Sequence, residues 1–169
     1  MKIIPAGLSL RDLRGTDSRD LPNAMLDLLG VNDIVILDAA AGLGKEALAA
    51  MESADEVLIV TTPELPAVTD ALKAIKLGEQ LGAKIAGVVV NKVSGKSHEM
   101  KIHEVEEMLG KDVIAVIPED KNVIKSVVMK NALVYTHPKS KASRAYKKLA
   151  ARLIGKEDYQ SGFWERLFG

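Results

Sequence analysis

Asp38 is the carboxylate best placed for chemistry. It follows the apolar run Ile34-Val35-Ile36-Leu37 and precedes Ala39-Ala40-Ala41-Gly42-Leu43-Gly44. A carboxylate at a strand's end can hold a hydrated cation, while a loop of small residues lets backbone N–H groups approach a phosphate. The same Asp could equally end the strand and cap its turn. Two further strand ends carry polar residues, Val90-Asn91-Lys92 and Ile117-Pro118-Glu119-Asp120. On adjacent strands, an Asn amide and a Pro-ordered loop could grip a base through side-chain and backbone hydrogen bonds. Asn is also a common turn residue, and Pro-Glu-Asp a good helix start.

Other chemistries lack their residues. Gly42-Leu43-Gly44-Lys45 is not a phosphate loop: G-x-x-x-x-G-K-[ST] needs Gly at 39 and Ser or Thr at 46, where the chain has Ala39 and Glu46. His98 and His103 are five residues apart, about 140° around a helix, and cannot chelate one metal from one face. They read as surface residues, and His137 as a loop residue. No G-x-S-x-G elbow occurs, and with no cysteine there is no thiol nucleophile, disulfide framework, thiolate metal site or iron–sulfur cluster.

The elements that must position these residues follow from the apolar pattern. Residues 33–37, 57–60, 85–90 and 113–117 are rich in β-branched side chains and, after Asp33, continuously apolar, as in strands buried on both faces of a parallel sheet. Lys2-Ile3-Ile4-Pro5 is a weaker fifth candidate. Between them, Leu21, Ala24, Met25, Leu28 and Leu29 form a helical stripe ending at Gly30. A second stripe runs through Leu65, Val68, Ala71, Leu72 and Ile75. Further helices are expected over 99–109, 120–130 and 140–154. The alternation predicts an α/β fold with a mostly parallel, helix-covered open sheet.

The 169 residues, 47% hydrophobic and 27% charged, suit one soluble globular domain with a sizeable core, and no run is long enough to span a membrane. The formal net charge is zero, but residues 139–169 hold eight basic side chains against three acidic ones, so residues 1–138 sum to −5. All Phe and Trp residues lie near the end, at Phe163, Trp164 and Phe168. As a helix, Phe163, Trp164, Leu167 and Phe168 would share an arc of about 140°, with Glu165 and Arg166 opposite. Rings can enter a bilayer interface while Arg166 and the basic residues between 139 and 156 meet anionic headgroups. Lys141, Arg144, Lys148 and Arg152 form a basic stripe opposite Ala142, Tyr146, Leu149 and Leu153, expected to be the solvated face of a packed helix. Residues 1–155 read as the body, and 156–169 as a tether and amphipathic tail.

These residues resemble the MinD branch of the MinD/ParA ATPases. The resemblance runs through Lys2–Leu10, Ile36–Leu43, Val60–Ala71, Val88–Lys92 and Val116–Asp120, in that order, and through the tail Gly162–Gly169, which is similar to the family's membrane-targeting helix. It implies the P-loop NTPase fold and a cytoplasmic, membrane-cycling protein that dimerises over ATP and positions cell-division machinery. It assigns Asp38 to Mg²⁺ through water, Gly42 to the vicinity of the γ-phosphate, and Asn91 with Pro118, Glu119 and Asp120 to the adenine of ATP or ADP. Phe163, Trp164, Arg166, Leu167 and Phe168 would meet an anionic surface at the inner face of the cell membrane. Pro63–Asp70 would lie near a dimer or partner surface, the partner being a cell-division regulator. The family's N-terminal third, with its phosphate loop and catalytic-site lysines, has no counterpart here, so the fold should be incomplete, with an unfilled groove or edge. A missing N-terminal half could supply it. No catalytic residue falls within the chain, which is expected to be inactive in ATP hydrolysis alone and at best to bind nucleotide weakly. A non-enzymatic membrane adaptor is an alternative function. A ParA-like DNA partition protein using the stripe at 141–152 is another.

Overall fold

The computed structural model describes residues 42–156 and, before them, residues 32–40 together with Leu21, Met25 and Gly30. The chain forms two compact units, residues 1–57 with 77–84, and residues 58–76 with 85–169. The elements in chain order are α1 (Lys45–Ser53), β1 (Val57–Thr61), α2 (Leu65–Gln80), β2 (Ile85–Val93), α3 (Ile102–Leu109), β3 (Val113–Pro118), α4 (Lys121–Val128), α5 (Leu133–Thr136) and α6 (Lys141–Leu153).

The strands form an open parallel sheet in the order β1-β2-β3. The sequence places β2 in the middle, because Val88, Val89 and Val90 are all buried and only a strand covered on both faces tolerates such a run. Register pairs Val89 with Ala115 and Val90 with Val116. Val89 and Ile117 pack with Ala142, and Ala145, Tyr146 and Leu149 of α6 close over them. The stripe of α6 anticipated as apolar is therefore its packed face from Ala142 to Leu149, while Leu153 is exposed, and Lys141, Arg144, Lys148 and Arg152 stay exposed. Each fully buried Val or Ile side chain here contributes roughly 1.5–3 kcal/mol. Gly87 has φ +147°, and a Cβ there would come within 2.5 Å of Ile114 Cγ2, so the approach of β3 to β2 requires glycine.

Helix ends follow their local chemistry. Ser140 caps α6, its hydroxyl accepting from Ser143 N at 3.1 Å. Gly110 ends α3 in the left-handed region at φ +61°, donating to Glu106 O at 2.8 Å. Leu21 and Met25 are helical as the stripe predicts, while Ala24, Leu28 and Leu29 lie outside the described residues, as does the strand candidate at 2–5. Two helices carried no periodic signal: α1, whose buried side chains are the small Ala47, Ala49 and Ala50, and the four-residue α5.

One expectation is corrected. Residues 33–37 are not a strand: they run irregularly, and Ile34, Val35 and Ile36 are exposed, Ile36 by 85%. Strand propensity favours an extended backbone, but a strand exists only when a neighbour accepts its N–H and C=O groups. The apolar pattern is present in this segment and the ladder is not.

Candidate functional site

The carboxyl ends of β2 and β3 form one organised locus. β2 continues past the expected residue 90 to Val93, and Asn91 and Lys92 form a bulge: Val90 pairs with Val116 and Val93 with Pro118, leaving two residues against one. Lys92 takes the left-handed φ of +57°. Its N–H donates to Asn91 Oδ1 at 2.9 Å, which fixes the Asn91 amide and leaves the NH₂ as a donor. Glu119 N donates to Val93 O at 2.8 Å, tying the loop after β3 to the end of β2. Beyond the bulge, the Glu99 carboxylate accepts from Ser94 N at 3.0 Å and Gly95 N at 2.8 Å, and from the Ser94 hydroxyl. The Ser94 hydroxyl, chiefly, and these two amides hold the Glu99 carboxyl below the usual carboxylate range.

Asp120 starts a helix, as Pro-Glu-Asp suggests, and has a second structural duty that its place in the sequence does not reveal. Its Oδ1 accepts from Asn122 N at 2.9 Å, capping α4, and its Oδ2 accepts from Ala142 N at 3.3 Å in the first turn of α6. The Asn122 amide is the main reason its carboxyl lies below the usual range, and the Ala142 amide and Ser140 hydroxyl act in the same direction. Each of its oxygens already accepts one backbone N–H, which fixes the carboxylate between α4 and α6. Pro118 is half-buried. The exposed Glu119 side chain reaches Lys96 at 3.9 Å, a pair of little energetic weight.

A cleft of about 610 Å³ opens beside this locus, lined by Glu119, Asp120, Lys121, Asn122, Ile124, Lys139, Ser140 and Lys141. The sequence places Ser140 and Lys141 at the start of the helix expected over 140–154, but no local pattern marks Lys139, Ser140 and Lys141 as the wall of a cleft.

Asp38 and Gly42 belong to the other compact unit. Asp38 is exposed beyond the irregular 34–37 segment, and Gly42 takes a positive φ of +94° with open space around it. Gly44 caps α1, with Lys45 and Glu46 in its first turn. Glu46 places a negative charge at the helix N-terminus, where a phosphate would otherwise bind, in keeping with the failed phosphate-loop pattern. An exposed carboxylate suits Mg²⁺, which keeps most of its waters and takes one or two protein oxygens beside phosphate oxygens. No cluster of three or more His, Asp or Glu side chains able to hold a metal occurs among the described residues. Asp38 thus fits as a single Mg²⁺ contact and not as a self-sufficient site. His98 and His103 are exposed, as expected, and Phe163, Trp164, Arg166, Leu167 and Phe168 lie outside the described residues.

Known proteins give this geometry a context. A protein-family model described as ParA, NUBPL iron-transfer P-loop NTPase, matches residues 25–154. An uncharacterized ATP-binding protein of Methanocaldococcus jannaschii is 38% identical over 177 residues, covering 99% of this chain and 67% of that protein. Among solved structures, the cell division ATPase MinD of Pyrococcus furiosus superposes with a TM-score of 0.83 at 29% identity, over 88% of this chain and 63% of that one. The septum site-determining protein MinD of Pyrococcus horikoshii, solved with Mg-ADP, gives 0.82 at 27% identity, over 91% and 65%. The chain spans about two thirds of the length of each of these three proteins. A match over residues 25–154, with the parallel sheet and its strand-end locus, means that the chain belongs to the ParA family of P-loop NTPases, with MinD septum site-determining proteins as its structural neighbours.

Proposed function

We propose that this chain acts as the C-terminal portion of a MinD-like, ATP-dependent protein that cycles on a membrane and positions cell-division machinery. The observation that carries this reading is the locus at the ends of β2 and β3, where the bulge presents the Asn91 amide and Val93 O fixes the Pro118–Glu119 backbone. These groups supply the donors and acceptors a base needs, and Asp38 supplies one carboxylate for hydrated Mg²⁺. The cradle for the phosphates and its lysine come from outside these 169 residues, which contain no G-x-x-x-x-G-K-[ST] sequence. The exposed, unpaired Ile34–Ile36 segment is consistent with a strand waiting for the neighbour that such a segment would provide.

In this reading residues 1–155 are the body and 156–169 a tether and membrane-targeting tail. The active form is a dimer over nucleotide, with the exposed Leu65 and Pro66 at the start of α2 near its partner surface. Iron transfer through thiolates has no ligand in these 169 residues, which contain no cysteine.

The test is reconstitution. The purified chain alone should show no ATP turnover. With a segment carrying a G-K-G-G-x-G-K-T loop, turnover should appear, and Asp38→Ala should abolish it. Turnover by the chain alone that tracks its concentration and is lost in Asp38→Ala would overturn the half-site reading. Sedimentation with anionic vesicles should be lost when the chain is cut at Gly155. Salt-sensitive binding to duplex DNA that survives this cut would favour the partition-protein alternative through the exposed basic stripe of α6.

A further inference from the structure

α4 carries an apolar stripe that its own fold does not use. Ile124, Val127 and Val128 follow i, i+3, i+4 spacing and are between 70% and 77% exposed, and Met129 just beyond is 60% exposed. The opposite side of the helix is the anchored one. Ser126 is buried there, donating to Asn122 O at 2.8 Å and meeting Thr136 Oγ1 of α5 at 2.6 Å. From residue 121 to 139 the chain has Lys121, Lys125, Lys130 and Lys139 and no acidic residue. Lys121 and Lys125 fall along one flank of the stripe.

The segment after Lys156 has complementary chemistry. Residues 157–169 hold Glu157, Asp158 and Glu165 against Arg166, a net charge of −2, and all of the chain's Phe and Trp. Although the wider 139–169 region is basic, its last thirteen residues are acidic. Reach is adequate. Ala142 N donates to Asp120 Oδ2, so the first turn of α6 meets the first turn of α4. α6 has 13 residues, about 20 Å of helix. The tether 157–162 spans about 20 Å when extended, enough to bring Phe163 back along α6.

We propose that, away from lipid, residues 163–168 dock as a short helix on the Ile124–Val127–Val128–Met129 stripe of the same chain, with Glu165 towards Lys121 and Lys125. So short a helix does not hold in water alone, but a tethered one laid on an apolar face does not need to. The stripe then competes with a bilayer for the same rings. That consequence rests on the membrane reading above; the docking itself does not.

Trp164 is the chain's sole tryptophan and reports directly. In lipid-free buffer, Trp164 of the full chain should emit to the blue of free tryptophan and resist acrylamide quenching, independently of protein concentration. The double variant Ile124→Glu/Val128→Glu changes exposed positions, and circular dichroism confirms its fold. It should shift the emission to the red and raise quenching several-fold. Its binding to phosphatidylglycerol–phosphatidylcholine vesicles should tighten about tenfold, the factor for a tail that is otherwise free one-tenth of the time. A water-exposed Trp164 in the unaltered chain, or emission unmoved by the double variant, would overturn the docking. A blue shift that grows with protein concentration would assign the stripe to a second copy. Weaker vesicle binding by the variant would assign it to lipid. A chain that never sediments with vesicles while Trp164 still reports docking would support the docking and remove the membrane reading alone.

Discussion

The ends of β2 and β3 and the loop from Asp38 to Gly44 carry similar residues, an apolar run followed by polar and small ones, yet they differ in physical state. The first is held by ladder pairing, a bulge and the bond from Glu119 N to Val93 O, so Asn91 and Pro118–Glu119 have set positions. The second follows a segment with exposed Ile34, Val35 and Ile36 and no strand. Preorganisation comes from paired backbone beneath the site and not from the site residues themselves.

Unfolding experiments can break or sharpen that contrast. Ile117→Ala, in the core under α6, should lower stability by about 3 kcal/mol in denaturant titration, while Ile36→Ala should change it by about 0.5 kcal/mol or less. Equal effects would mean that the 34–37 segment is packed after all. Gly87→Ala should cost about 2 kcal/mol by forcing Ile114 away from β2. Asp120→Ala should cost about 1–2 kcal/mol through the lost caps, whereas Asp38→Ala should leave the melting temperature unchanged.

The Asp120 carboxyl also predicts a pH dependence. Its folded pKa lies below the unfolded value of about 3.9, so the folded protein holds this proton less tightly than the unfolded chain. Its contribution to stability is complete above about pH 5. It declines as pH falls past the unfolded value and is gone below the folded one. Asp120→Asn should flatten the stability profile across that window. Ser143→Ala should stabilise by up to about 1 kcal/mol, because Ser143 Oγ is buried without a hydrogen-bond partner among the described residues. The subtlest effect is local. Glu99→Gln should speed hydrogen exchange at the Ser94 and Gly95 amides and leave Val89 and Val90 protected.

Much of this was legible from residues alone. Val88–Val90 announce a doubly covered strand, and the helices expected over 99–109 and 140–154 stop and start where Gly110 and Ser140 cap them. Asp120 is legible as a helix start, but its second bond, to Ala142 N, joins residues 22 apart and no local pattern encodes it. α1 escaped because alanines bury little area and give no periodic contrast. The 34–37 segment misled because hydrophobicity reports what a strand would contain and not whether a neighbour exists to pair with it.

The bulge at Asn91–Lys92 has a consequence for how this locus can vary. One extra residue resets the phase of the strand, so every side chain beyond it faces the side its parity would otherwise forbid. Deleting Lys92 would rotate Val93 and the Ser94–Gly95 loop to the other surface and break the bond to Glu119. Substitution at Asn91 would change one side chain and its bond to Lys92 N, whereas insertion or deletion beside it would re-aim the whole loop.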